Sequence, residues 1–321
     1  MVYFSAPPAQ PLNSSRLALR QLNAVWLDEV EAMVNDPETS RLTGTTKTFS
    51  RDELELWLSS RPKQTDRCDW AILDQESGEF LGEVVLNELD AEKRSMNLRI
   101  ALANSGFFGR GIGTETLNLV LAFAFDTMQL ARVTLSVLTT NDRAHRCYQK
   151  VGFANGRQYN EGRHRWQRMS VTKEQFVAAM AKRLMAQHLD SSWQFSYDNG
   201  KRRAGLCNYQ SKTISLSKYV VLHHSIDDSV QVMWHEIAHA LCGKQEGHGK
   251  LWLQTAKGLG YRAEKFSGKT IAEKTAPWVG VCPAGHQHFR YRQPKGVLSC
   301  GLCGRGFSPA NRISWSRVAT E

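Results

Sequence analysis

The sequence predicts an α+β protein of more than one domain, on three observations. The first is length: 321 residues exceed what one core usually organises, and 41% hydrophobic residues are ample for burying more than one. The second is a strand-like run, Asn97 to Leu102, which feeds a glycine-rich turn, a helix and a further strand in the first half. The third is a second half dominated by helical periodicity and closed by two cysteine-bearing knuckles. No repeat is present, and no apolar run is long enough to span a membrane or act as a signal peptide.

Taken in order, Met1 to Ser15, with Pro7, Pro8 and Pro11, reads as a flexible lead-in. Phe80 to Leu86 predicts a strand, and Glu83 and Glu88, in or beside it, read as solvated carboxylates, so that no general base stands out. Phe107-Phe108-Gly109-Arg110-Gly111-Ile112-Gly113-Thr114-Glu115 is a glycine-rich turn entering a helix N-terminus, where exposed backbone N–H groups suit an anion such as pyrophosphate. A helix over Glu115 to Phe125 and a strand over Arg132 to Leu138 follow, then the block from Asn141 to Phe153 that contains Tyr148. A lone glycine turn is usually only a turn, and a lone tyrosine on a helix is usually core; together, at one spacing, they carry more.

Over residues 12–170 these blocks resemble the GNAT acetyltransferases, and within them the RimJ/RimL-like branch. The family motif Q/R-x-x-G-x-G/A stands here as Phe108 to Gly113, with an aromatic in the leading polar place. The resemblance implies a mixed central sheet flanked by helices and acetyl-CoA as cofactor. It implies that Gly109, Arg110, Gly111, Ile112, Gly113 and Thr114 cradle the pyrophosphate, and that Ile100, Ala101 and Leu102 flank the acetyl and pantetheine arm. Asn141 would contact the cofactor, and Tyr148 would protonate the departing thiolate, an acid that expulsion of sulfur from a thioester requires.

The second half holds His235-Glu236-Ile237-Ala238-His239, with His248 in Glu246-Gly247-His248-Gly249. Val230, Met233, Trp234, Ile237, Ala238 and Leu241 follow a 3.6-residue period, Ser225 to Asp228 offers a capping box, and Gly243 can end the helix. Residues four apart share a helix face, so His235 and His239 can present imidazoles to one zinc. His248, at the start of a second helix over Lys250 to Leu259, supplies a third ligand from a separate element and leaves the fourth position open. Glu236 can take a proton from water that the metal acidifies, which is the chemistry of peptide hydrolysis. Cys242 falls near the ligand face and reads as a small buried thiol.

Over roughly residues 171–315 the chain resembles the SprT-like metallopeptidases, the group that includes Spartan-type proteases for DNA–protein crosslinks. Trp193-Gln194-Phe195, Asp198 to Cys207, Ile214-Ser215-Leu216-Ser217 and the HEIAHAL…EGHG core carry the likeness. It implies a mainly helical zincin-type domain in which His235, His239 and His248 bind catalytic zinc and Glu236 is catalytic, with Tyr209 a weak candidate for the oxyanion. Beyond it, Cys282, His286, Cys300 and Cys303 form a C-x3-H…C-x2-C set, a closed site that folds a small zinc ribbon around a structural ion. His288 is a rival to His286.

Charge divides unevenly. Residues 1–170 hold 20 Lys and Arg against 21 Asp and Glu, and residues 171–321 hold 21 against 10, so the net +10 is entirely C-terminal. Lys201-Arg202-Arg203, Lys244, Lys250, Lys257, Arg262, Lys265, Lys269, Lys274, Arg290, Arg292, Lys295 and Arg305 surround the HExxH core in sequence, with Phe289, Tyr291 and Trp315 interleaved. Such a face suits DNA, single-stranded or with exposed bases. Seven cysteines, three of them in the ribbon, fit a reducing cytoplasm.

The expected layout is an acetyltransferase domain over 12–170, a metallopeptidase over 171–279 and a ribbon over 280–321. Function follows as acetyl transfer joined to zinc-dependent proteolysis of DNA-bound or crosslinked proteins. The alternative is a non-proteolytic zinc adaptor that delivers an acetyltransferase to an amine associated with nucleic acid.

Overall fold

The computed structural model describes residues 6–263 and 268–318. Residues 1–5 of the lead-in and Lys265 of the basic set lie outside them. Two compact units divide the chain, Met1–Met180 and Ala181–Glu321, and the division falls inside a helix, Lys173–His188.

The first unit runs β1 (Leu12–Asn13), β2 (Leu17–Gln21), α1 (Leu27–Val34), α2 (Pro37–Thr43), α3 (Arg51–Ser60), β3 (Cys68–Asp74), β4 (Phe80–Asp90), β5 (Ser95–Leu102), α4 (Ile112–Ala122), β6 (Arg132–Leu138), α5 (Asp142–Lys150), β7 (Ala154–Glu161), β8 (His164–Val171) and the start of α6 (Lys173–His188). The strands form one sheet in the order β1-β2-β3-β4-β5-β6-β8-β7. All neighbours are antiparallel except β5 and β6, which makes this the mixed central sheet flanked by helices that was expected.

Burial explains the layering. Cys68 to Leu73 are buried along the whole of β3, as a strand covered on both faces must be. Ala71 and Leu73 pack with Val30, Met33, Leu54 and Leu58 of α1 and α3. Trp70 faces the other way, edge-on to Phe123 at 5.4 Å. Local signals set the helix starts: Asp36 caps α2 by accepting from Thr39 N at 2.7 Å, and Ser50 with Glu53 closes a capping box on α3.

Two expectations change. The lead-in is not loose from residue 6 onward: Ala6 and Ala9 are buried, Trp70 Nε1 donates to the Gln10 carbonyl at 2.8 Å, and Cys68 Sγ donates to that of Pro7 at 3.1 Å. A proline lacks an N–H but keeps its carbonyl, and it is the carbonyls of Pro7 and Gln10 that β3 uses. The helix expected over Glu115 to Phe125 begins at Ile112, where Gly111 turns the chain at φ +81°, and after Ala122 it widens into a π turn, Phe123–Thr127.

The second unit carries β9 (Gln194–Asp198), β10 (Gly205–Asn208), β11 (Thr213–Ser217), α7 (Lys218–His223), α8 (Ile226–Cys242), α9 (Lys250–Leu259), α10 (Gly268–Thr275), β12 (Trp278–Val281), β13 (Gln287–Arg290) and β14 (Ser314–Arg317). Its helical region therefore includes a three-stranded sheet, β10-β11-β9, with β9 parallel to β11. The capping box on α8 is present, with Ser225 Oγ accepting from Asp228 N at 3.0 Å and the Asp228 carboxylate accepting from Ser225 N at 3.0 Å, and Gly243 ends the helix at φ +82°. At the C-terminus β12 pairs antiparallel with both β13 and β14. Among the described residues no helix is long and apolar enough to cross a membrane.

Candidate functional site

In the first unit the site is made by strands that part. β5 and β6 pair only from Ser95 to Asn97 and from Arg132 to Thr134; beyond that β5 is held by β4 and β6 by β8. The backbone of Leu98 to Leu102 thus faces a gap, which opens into a cavity of about 1310 Å³. Ile100, Ala101, Leu102, Gly109, Gly111, Ile112, Gly113, Thr114, Asn141 and Tyr148 all line it, whereas Arg110 does not.

The α4 N-terminus points its first N–H groups at this space with no side-chain cap, so they remain available to an anion. Gly109 and Gly111 have φ of +73° and +81°, a backbone that side-chain-bearing residues rarely adopt. The aromatic at Phe108 has a use: the Arg143 guanidinium lies over its ring at 3.6 Å. Arg143, Arg146 and Lys150 of α5 also line the cavity. Asn141 is committed to structure as well, since its Oδ1 accepts from Ala144 N at 3.1 Å and its Nδ2 donates to Leu42 O at 3.4 Å. Thr114 Oγ1 lies 3.3 Å from Cys147 Sγ. Burial, with a smaller push from Cys147, raises the Tyr148 phenol above its usual range, so at neutral pH it holds its proton.

In the second unit His235, His239 and His248 converge. Their Nε2 atoms are 3.0, 3.1 and 3.0 Å apart, nearly an equilateral triangle. Its centre lies about 1.75 Å from each nitrogen, and three imidazole nitrogens so gathered are a donor set that fits a zinc ion. Trp252 packs against all three rings at 4.8, 5.4 and 4.7 Å between centroids.

Glu236 is buried on the same helix. It lies against Gly205 of β10, where a Cβ would come within 2.7 Å of Glu236 Oε1 and 2.8 Å of Val232 Cγ1. Burial and the nearby Glu236 push the Cys207 thiol up to about 12, and burial and Cys207 push the Tyr209 phenol up to about 12. The Tyr209 hydroxyl donates to the His239 carbonyl at 3.1 Å. Cys242 stays off the histidine cluster; its thiol donates to Thr255 Oγ1 at 3.3 Å and packs beside Ala238, Trp252 and Ala256.

Cys282, His286, Cys300 and Cys303 form the second cluster, their ligand atoms all within 4.8 Å of one another. His286 Nδ1 is 3.2 Å from Cys303 Sγ and 3.6 Å from both Cys282 and Cys300. His288 instead reaches Cys300 Sγ alone, at 3.2 Å through Nε2. Two thiolates of a tetrahedral site sit about 3.7 Å apart, and Cys282 and Cys303 are at 3.7 Å, so this set fits zinc as well.

Comparison with known proteins bears on both units. Residues 16–154 match the acetyltransferase (GNAT) domain family, and residues 173–272 match the SprT-like family. The chain carries a GNAT acetyltransferase domain and a SprT-like domain. It is similar to an N-acetyltransferase 9-like protein of Caenorhabditis briggsae, 27% identical over 137 residues that span 40% of this chain and 69% of that protein. Solved structures similar to it include a GNAT-family acetyltransferase from Bacillus anthracis, at 13% identity and TM-score 0.46, over 51% of this chain and 99% of that one. A spermidine N-acetyltransferase from Vibrio cholerae in complex with CoA and spermine gives 22% identity and TM-score 0.47, over 51% and 99%.

The GNAT domain holds one group that the sequence misplaces. Glu83, read there as solvated, has its Oε2 buried and without a hydrogen-bond partner, and burial raises its carboxyl above the usual range. Glu88 is exposed, at φ +54°, where the register between β4 and β5 breaks. In the SprT-like domain the sequence passes over Gly205 and Trp252 as neighbours of the histidine cluster. For Trp252 the signal is its nearness to His248 in the chain, and for Gly205 its place in the Asp198 to Cys207 block; strand β10 itself reaches α8 by tertiary packing.

Proposed function

We propose that the chain is bifunctional: an acetyl-CoA-dependent N-acetyltransferase over 12–170, joined to a zinc-dependent protease over 171–279 that acts on DNA-bound or crosslinked proteins, with residues 280–321 a zinc ribbon. The observation that carries the protease is the three-nitrogen triangle with a buried glutamate on the same helix. A site built only to hold structure closes the fourth position with protein, and has no use for Glu236.

Zinc held by His235, His239 and His248 would supply Lewis acidity to a carbonyl and acidify a water. Glu236, fixed against Gly205, then receives a proton at its carboxylate and returns it to the leaving amine. In the GNAT domain the α4 N-terminus and Arg143 hold phosphate, and Tyr148 donates its proton to sulfur.

Support for DNA comes from chemistry, in that the surplus of cations lies in the second unit. Phe289, Tyr291 and Trp315 are half-buried, and Tyr291 is held by Lys201 over its ring at 4.1 Å and by Thr275 at 2.9 Å. Phe307, 64% exposed and two residues from Arg305, is the better base-stacking group.

The test is cleavage of a DNA-bound basic protein, and of the chain itself, with and without single-stranded DNA, by the native protein and by Glu236→Gln. DNA-stimulated cleavage that the variant loses while keeping its zinc is the expected result. No cleavage by the zinc-loaded native protein would overturn the protease and leave the adaptor that delivers an acetyltransferase.

A further inference from the structure

The acetyl-transfer reading lacks a group to take the acceptor's proton. A primary amine is an ammonium at neutral pH, and its nitrogen has no lone pair to offer until that proton leaves.

We propose that Glu83 takes the proton from the acceptor amine, and that the face of the sheet around it is where the acceptor sits. Register places it. Glu83 pairs directly with Ala101 on β5 and with Ala71 on β3, so the three side chains stand on one face. Directly opposite residues hold their Cβ atoms about 4.5–5.5 Å apart, which sets Glu83 beside the segment Ile100 to Leu102 that lines the parted strands. That face is the one α1 and α3 cover. Glu83 and Tyr148 line the same cavity, so a base and an acid serve one space.

Glu83 Oε2 is buried there with no hydrogen bond spent on the protein. A buried carboxylate without a partner is costly, and it survives where a ligand supplies one. The charged groups that face it are Arg99 on β5, Asp69 on β3, Arg67 just before β3 and Arg61 just after α3. Asp69 is taken by Arg67, at 2.6 Å, so of these two neighbouring carboxylates Glu83 is the one left open to an incoming cation. Burial and Asp69 raise its carboxyl and the three arginines lower it, with burial the larger effect. A carboxylate raised in this way is the stronger proton acceptor.

The step balances. Glu83 Oε2 takes one proton from the ammonium, and the nitrogen lone pair so freed forms the C–N bond to the acetyl carbon. The C–S bond breaks with its electron pair on sulfur, and Tyr148 Oη supplies the proton that makes the thiol. The second proton that nitrogen sheds as the amide forms returns to Tyr148, and Glu83 releases its own to water.

This inference rests on the acetyltransferase reading, and the experiment separates the two. Using the full chain, acetyl-CoA binding and CoA thiol release are measured from pH 6 to 10 with spermine and with a peptide bearing a free α-amine, for the native protein, Glu83→Gln and Tyr148→Phe. Glu83→Gln is expected to bind acetyl-CoA unchanged, to lose about 10²–10⁴-fold in rate at neutral pH, and to recover toward high pH, where the amine arrives unprotonated. An unaltered rate and pH profile in Glu83→Gln overturns the assignment. Absence of both acetyl-CoA binding and thiol release in the native protein overturns the acetyltransferase reading instead. A carbon-13 titration of the glutamate carboxyls needs no acceptor: the resonance missing from Glu83→Gln should titrate above the usual carboxylate range. A midpoint inside that range overturns the role of Glu83 whichever amine is used.

Discussion

Glu236, the proposed base of the protease, shows how little separates a catalytic position from a packed one. Gly205 is the residue that gives its carboxylate room, since a methyl group there would lie 2.7 Å from Oε1 and 2.9 Å from Glu236 Cγ. Gly205→Ala is expected to leave the histidine triangle and its zinc intact while moving that carboxylate, and displacement of about 1 Å costs on the order of 10²-fold in turnover. Zinc content measured beside the rate of peptide cleavage checks this; a normal rate would show that the carboxylate accommodates the methyl. At this scale the sequence reveals ligands better than their supports. His235 and His239 are legible because a helix repeats every 3.6 residues, and the third histidine follows closely in the chain. Gly205 under Glu236, and Ala101 opposite Glu83, depend on register between distant segments, which no local pattern encodes.

Among the elements, the β4–β5 pair decides the shape of the first cavity. Gly82 has φ +149°, and a Cβ there would fall 2.2 Å from the Ala101 carbonyl oxygen and 2.8 Å from Leu102 Cα, both backbone atoms that cannot swing aside. Gly82→Ala must push β4 and β5 apart at Leu102, the far end of the stretch of β5 that has parted from β6, and overpacking of that kind costs about 1–3 kcal/mol. Thermal unfolding of the variant should shift down, and acetyl-CoA affinity should fall with it; an unchanged transition would mean that the strands separate freely. Strands β4, β5 and β6, the glycine turn and the capped helix α8 are each visible in the sequence because their signals are local. What it leaves out includes the sheet β10-β11-β9, the π turn after α4 and the packing of residues 6–10 against β3, where tertiary contacts override a proline-rich composition.

For the whole molecule, the division of charge sets the expected partner. The first 170 residues are nearly neutral and the remainder carries the surplus. Binding of the full chain to single-stranded DNA should therefore weaken linearly in log–log terms with salt, with a slope of about −0.7 for each phosphate neutralised. Fluorescence anisotropy at several salt concentrations measures the slope, and replacing Lys201, Arg202 and Arg203 by alanine should make it shallower. A flat response would remove the electrostatic basis of DNA recognition.

Trp252 has a consequence of another kind. Its indole, 5% exposed, abuts all three imidazoles of the histidine triangle and donates through Nε1 to the His235 carbonyl at 3.4 Å. Contact with that indole limits the rotamers open to the three rings. Part of the conformational entropy of gathering the three rings is thereby spent in folding, which lowers the cost that any ion they would hold has to meet on binding.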